Sequence, residues 1–126
     1  MTTTARDLGQ RFHAALVTGD WVTIRSMLHD DATWTLPGDN TVSGVVVGAD
    51  AMVERAQKVA SYGLSFKLLN VLVSRENMAL SQHNTAQRPD AVLDEYVSTV
   101  CRLRDGKIAH IESYLSDVPG MNTFFV

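Results

Sequence analysis

The sequence predicts an α+β domain, with helices first and mainly antiparallel strands after them. Three observations carry that prediction. Apolar residues recur at helical spacing up to Gly63, and from Leu64 onward the period changes from 3.6 to 2. Asp105-Gly106 then stands between two extended runs as a two-residue hairpin turn, whose central residues both need positive φ. The 126 residues fit one domain, 1–126, without internal repeat, low-complexity tract or linker.

Leu8, Phe12, Ala15 and Leu16 lie on one face of a first helix, which Thr4 is placed to cap and Gly19 to end. Asp20 caps a shorter second helix with Trp21, Ile24 and Leu28 on one face, and Asp30-Asp31 breaks it. Residues 33–36 read as a first strand ending at the Pro37-Gly38 turn, and the β-branched run 42–47 as a second. Gly48 leads into a third helix with Met52, Val53, Ala56, Val59 and Ala60 on its buried stripe, and Gly63 ends it. Extended runs follow over 64–75, 78–87, 93–104 and 107–115, separated by Glu76-Asn77, Arg88-Pro89-Asp90 and the Asp-Gly turn.

Composition narrows the function classes. Apolar content of 45% and charged content of 20% are those of an ordinary globular protein. A net charge of −3 lacks the basic excess that nucleic acid or an anionic membrane would demand. The N-terminal residues 1–7 hold no apolar core of a secretory leader, and no apolar run approaches membrane-spanning length. Lone Cys101 excludes an intrachain disulfide and reads as a buried, reduced thiol; the cytoplasm is the expected compartment.

A regular two-residue turn at Asp105-Gly106 pairs Arg104 with Lys107, Val100 with Ile111, Ser98 with Ser113 and Tyr96 with Leu115. One sheet face then carries those last six residues. The other carries Val97, Thr99, Cys101, Leu103, Ile108, His110, Glu112 and Tyr114. Both faces are mixed, as expected if helices cover one and a second subunit the other.

Gly19-Asp20-Trp21, Asp30-Asp31-Ala32-Thr33-Trp34, Pro37-Gly38, Gly48 and Arg104-Asp105-Gly106-Lys107-Ile108, in this order and spacing, resemble the NTF2-like superfamily in its SnoaL-like, ketosteroid-isomerase-like branch. The resemblance spans nearly the whole chain. It implies an NTF2-like (cystatin-like) curved sheet forming a cone around the N-terminal helices, an enclosed ligand cavity and commonly a homodimer. It does not imply one reaction, because one fold hosts many.

Aligned with the ketosteroid isomerases, the last strand turns Ile111, Ser113 and Leu115 toward the cavity, with Tyr96, Ser98 and Val100 beside them. The isomerase tyrosine falls at Phe12, its proton-shuttling aspartate at Leu36 and its protonated aspartate at Ser98. The acid/base groups of that route are therefore absent. The Arg and Asp of limonene-type epoxide hydrolases are missing from 80–85 and from Ser113. Similarity to SnoaL-type polyketide cyclases implies an aspartate acid/base near the pocket; Asp117 fits by strand parity, although the family's position falls nearer Ser116.

His83 is the second acid/base candidate, titrating near neutrality if it faces the pocket. With the parity of its strand reversed, Gln82 and Asn84 line the pocket instead and His83 is an outer-face residue. A pairing of His83 with His110, as in scytalone-type dehydratases, conflicts with the outward parity of His110. No histidine pair has ligand spacing, so no metal and no organic cofactor are expected. Trp34 shares parity with Leu36 and points inward. The apolar tail 121–126 covers the cone's mouth or packs on a neighbour. The resulting expectation is a proton-transfer enzyme acting on a small apolar metabolite. His83 and Asp117 are its acid/base groups, and Trp34, Tyr96, Ser98, Val100, Ile111, Ser113 and Leu115 shape the pocket. A non-catalytic binding or dimerisation module is the alternative.

Overall fold

The structure is a computed structural model that describes residues 4–126; residues 1–3, part of the N-terminal stretch read above, lie outside the described residues. In chain order the elements are α1 (Ala5–Thr18), α2 (Trp21–Ser26), β1 (Leu28–Leu36), β2 (Gly44–Val47), α3 (Ala49–Ala60), β3 (Ser65–Ser74), β4 (Asn77–Arg88), β5 (Ala91–Arg104), β6 (Lys107–Leu115) and α4 (Val118–Phe124). The strands form one curved, unclosed sheet in the order β2-β1-β6-β5-β4-β3. Every neighbouring pair is antiparallel except β1 and β6, which run parallel. The fold is the α+β arrangement expected, of the NTF2-like, cystatin-like kind.

Local signals act where the residues place them. Thr4 Oγ1 accepts from the Asp7 N–H while the Asp7 carboxylate accepts from the Thr4 N–H, a reciprocal cap on α1. Gly19 closes the helix at φ 69°, and Asp20 caps α2 through the Thr23 N–H. Asp105 and Gly106 take φ of 51° and 77°, the pair of positive values a twisted hairpin turn requires. Helix α1 lies on β3 and β4, α3 on β1 and α4 on β5. Helix α1 approaches the sheet closely at Gly9, where an added Cβ would sit 3.0 Å from Val71 Cγ1 and 3.1 Å from Leu80 Cδ2.

Two local expectations change, and the tail takes the first of its two expected places, against the cavity. The second helix stops at Ser26, so Leu28 belongs to β1, where it pairs with Ile108 and is buried. Asp30 and Asp31 lie within that strand, facing solvent, and are held by Arg25 and Arg104. The tail forms α4, which buries Phe124 and Phe125 almost completely. Asp117 accepts from the Gly120 N–H, and Pro119 stands in the first turn, where a missing N–H costs nothing.

The larger correction concerns register. Arg104 pairs with Lys107 and Leu103 with Ile108, as the turn dictates, but the next pair is Arg102 with His110. Ala109 is an extra residue on β6, a bulge that reverses side-chain parity for the rest of the hairpin. Cys101 then faces Ile111, Thr99 faces Ser113 and Val97 faces Leu115. The driving force is visible in the packing. Ile108 and Ile111 are both buried, at 0% and 3% exposure, although three residues apart. A straight strand would turn one of them to solvent; the bulge keeps both in the core.

Candidate functional site

The inward faces of β1, β3, β4, β5 and β6, roofed by α1, α3 and α4, enclose a cavity of about 100 Å³. Its walls are apolar: Phe12 and Leu16 from α1, Met52 and Val59 from α3, Met121 and Phe125 around α4, and Leu36, Phe66, Val97 and Ile111 from the strands. Set into these walls are a few polar groups. Thr99 Oγ1 donates to Gln82 Oε1 at 2.8 Å, and Trp34 Nε1–H donates to Ser113 Oγ at 3.0 Å. Asn84 Oδ1 is buried without a partner. Such walls with sparse polar points are what a small-molecule pocket needs.

Glu95 is the one ionisable side chain among the residues lining this cavity, and it is 2% exposed. Both of its hydrogen bonds fall on Oε1, from the Asp117 backbone N–H at 2.8 Å and the Ser116 hydroxyl at 3.5 Å. Ser116 is itself held by the Tyr96 N–H at 2.8 Å. Burial pushes the Glu95 carboxyl above the ordinary carboxylate range; the Asp117 N–H opposes that rise without cancelling it. A carboxyl anchored through one oxygen and made less acidic by burial is equipped to give or take a proton.

Sequence reasoning missed Glu95 because the regular hairpin register turned it outward. A signal was present. Leu93, Glu95, Val97, Thr99 and Cys101 alternate along β5, and all five are buried. A carboxylate set in an apolar alternation is the unusual member, and unusual buried polar groups mark sites.

The cavity includes Trp34, Ile111, Ser113 and Leu115 of the predicted residues, and excludes the others. Tyr96, Ser98 and Val100 lie on the outer face because of the bulge, and Tyr96 is 56% exposed. His83 also faces outward, where Nε2 lies 2.5 Å from Asp94 Oδ1 and the ring stacks on Tyr96 at 4.4 Å. Its strand has the reversed parity, so Gln82 and Asn84 line the cavity. The Asp117 carboxylate is exposed and caps α4, while its backbone N–H anchors Glu95. His110 points outward and bonds the Thr33 hydroxyl at 2.6 Å. Neither predicted acid/base side chain reaches the cavity.

The fold and cavity together define an NTF2-like pocket domain. The SnoaL-like domain family matches residues 10–111, and the chain belongs to that family. No curated protein matches the chain. Among solved structures, Bal32a from a soil-derived mobile gene cassette is 23% identical over 95% of both chains, with a TM-score of 0.90. A protein of unknown function with a cystatin-like fold from Xanthomonas campestris is 22% identical over 97% of this chain and 98% of its own, at 0.87. An LEH-like epoxide hydrolase from M. tuberculosis is 19% identical over 98% and 90%, at 0.73. Among the described residues, no helix is long and apolar enough to cross a membrane.

Proposed function

We propose that this protein is a cytoplasmic, cofactor-independent enzyme that moves protons on an apolar, polyketide- or terpenoid-like metabolite, with Glu95 as its acid/base. Cyclisation, isomerisation and dehydration all begin by removing a proton beside a carbonyl or protonating a leaving oxygen. One observation carries the reading: an apolar cavity whose lining holds a single ionisable group, Glu95, desolvated and anchored through Oε1. The role given above to His83 and Asp117 passes to this residue. Membership in the SnoaL-like family and the likeness to an epoxide-hydrolase-like structure support small-molecule chemistry in such a pocket. Trp34, Ile111, Ser113 and Leu115 would shape the ligand, and Asn84 Oδ1 would accept a hydrogen bond from it.

Solvent exchange provides the test, since it needs no knowledge of the net reaction. Ketone-bearing polyketide and terpenoid compounds are incubated with the protein in D2O, and deuterium entry at the acidic carbon is followed by mass spectrometry. Wild type should accelerate exchange for part of the panel and Glu95→Gln should not. Binding without exchange in wild type would instead favour a non-catalytic binding module. The outer face of the sheet, with Tyr96 and Tyr114 exposed, is proposed as the homodimer surface, to be checked by light scattering.

A further inference from the structure

Asn84 is the polar group of the cavity wall that the protein leaves unserved. It lines the cavity from the inward face of β4, and its Oδ1 is buried without a hydrogen-bond partner. Neighbouring acceptors in the wall are satisfied from within. Gln82, two residues back on the same face, accepts from the Thr99 hydroxyl at 2.8 Å, and Ser113 accepts from the Trp34 N–H at 3.0 Å. The strand register sets Asn84 directly opposite Glu95. Residues paired in this way project from the same face, with Cβ atoms about 4.5–5.5 Å apart. Both hydrogen bonds of Glu95 fall on Oε1, and among the described residues none joins its side chain to that of Asn84.

A buried acceptor without a donor carries its full desolvation cost, so whatever fills the pocket is selected for supplying that donor. A ligand carbonyl brings Oδ1 only a second acceptor. A ligand hydroxyl donates to it and keeps lone pairs for another contact, within the span of the Glu95 carboxyl opposite. A cationic amine would donate as well, but its charge would be stripped of water by walls that are otherwise apolar. Burial also disfavours the ionised Glu95 that would have to balance it. A water beside Asn84 makes the same demand, because a ligand that displaces it without replacing its hydrogen bond loses affinity.

We propose that Asn84 determines specificity by accepting a hydrogen bond from a hydroxyl of the ligand, so that the pocket takes apolar alcohols in preference to ketones of the same shape. Within the polyketide- or terpenoid-like class proposed above, this selects hydroxylated members. The proposal rests on the cavity being a ligand pocket and does not need Glu95 to be the acid/base.

Menthol and menthone, an apolar alcohol and its near-isosteric ketone, are the probes, titrated into the full chain and followed by NMR. Wild type should bind menthol about tenfold more tightly than menthone. Asn84→Leu, similar in shape and without an acceptor, should remove that preference while keeping affinity for menthone. Asn84→Ala cannot overpack the wall and should remove the preference as well. Glu95→Gln keeps a polar group opposite Asn84 and should retain it. The proposal is overturned if wild type binds menthone as tightly as menthol or binds neither probe. It is overturned too if either Asn84 variant keeps the preference, or if both fail to fold. A merely structural role for Asn84 would weaken both probes in parallel and leave their ratio unchanged, which also counts against it. Alcohol preference without deuterium exchange would tell against the acid/base reading alone, and exchange without the preference against the role of Asn84 alone.

Discussion

The two faces of strands β4 and β5 carry similar chemistry under opposite solvation. Asp94 and Glu95 are adjacent in sequence, yet Asp94 opens to solvent beside His83 and Glu95 is closed into an apolar cavity. The outer carboxylate has an imidazole at 2.5 Å, water around it and Tyr96 stacked on its partner. The inner one has only a backbone N–H and a hydroxyl. An exposed His–Asp pair resembles catalytic machinery but is shielded by solvent, and such pairs contribute little. A carboxyl closed into an apolar pocket has fewer contacts, and burial makes it less acidic. Local dielectric, rather than residue type, separates a candidate acid/base from surface decoration.

That contrast can be broken by experiment. The largest effect is expected from Glu95→Gln, which should lower the rate of proton exchange by about 10²–10⁴-fold, while His83→Ala changes it less than about twofold. Comparable losses at the two positions would erase the distinction between the faces. Next comes packing. Phe124→Ala in the core beneath the sheet's inner face should cost about 3–5 kcal/mol in denaturant unfolding, because this fully buried ring has no route to solvent. Truncating the outer Tyr96 should cost far less in the same assay.

Ionisation gives a subtler difference. In the folded chain Glu95 holds its proton above the ordinary carboxylate range, and in the unfolded chain it does not. The native state therefore binds more protons between the two values, and this group's contribution to stability falls as pH rises from the ordinary carboxylate range through the folded value. Thermal melts of wild type and Glu95→Gln across acidic to neutral pH should show the variant losing less stability over that window. A parallel pair of curves would mean that Glu95 is not desolvated. A smaller change is expected for Ser113→Ala, which removes the acceptor of Trp34 Nε1–H and should destabilise by about 1 kcal/mol. Removing the solvent-facing His83–Asp94 pair should be smaller still, under about 1 kcal/mol by double-mutant cycle.

Much of the architecture was legible from residues close together in the chain. Thr4 with Asp7, Gly19, Asp20, Gly48, Asp105-Gly106 and the apolar stripes of α1 and α3 act through neighbours within a turn or two, so short-range patterns report them directly. Helix α4 was not legible as a helix, since its apolar residues read equally well as a cover for the cone's mouth or a contact with a neighbour, and the structure sets Met121 and Phe125 against the cavity with Phe124 packed behind them.

By itself the sequence determined the order of elements up to β6 with their caps and turns, because these rest on local conformational preference and on period, and its motifs carried the SnoaL-like resemblance. The tertiary structure alone decided which residues face the cavity. Strand side chains alternate with a period of two, so the one extra residue at Ala109 exchanged Tyr96, Ser98 and Val100 for Glu95, Val97 and Thr99. That bulge exists because Ile108 and Ile111 both gain from burial in the same core, a demand set by elements far away in the chain.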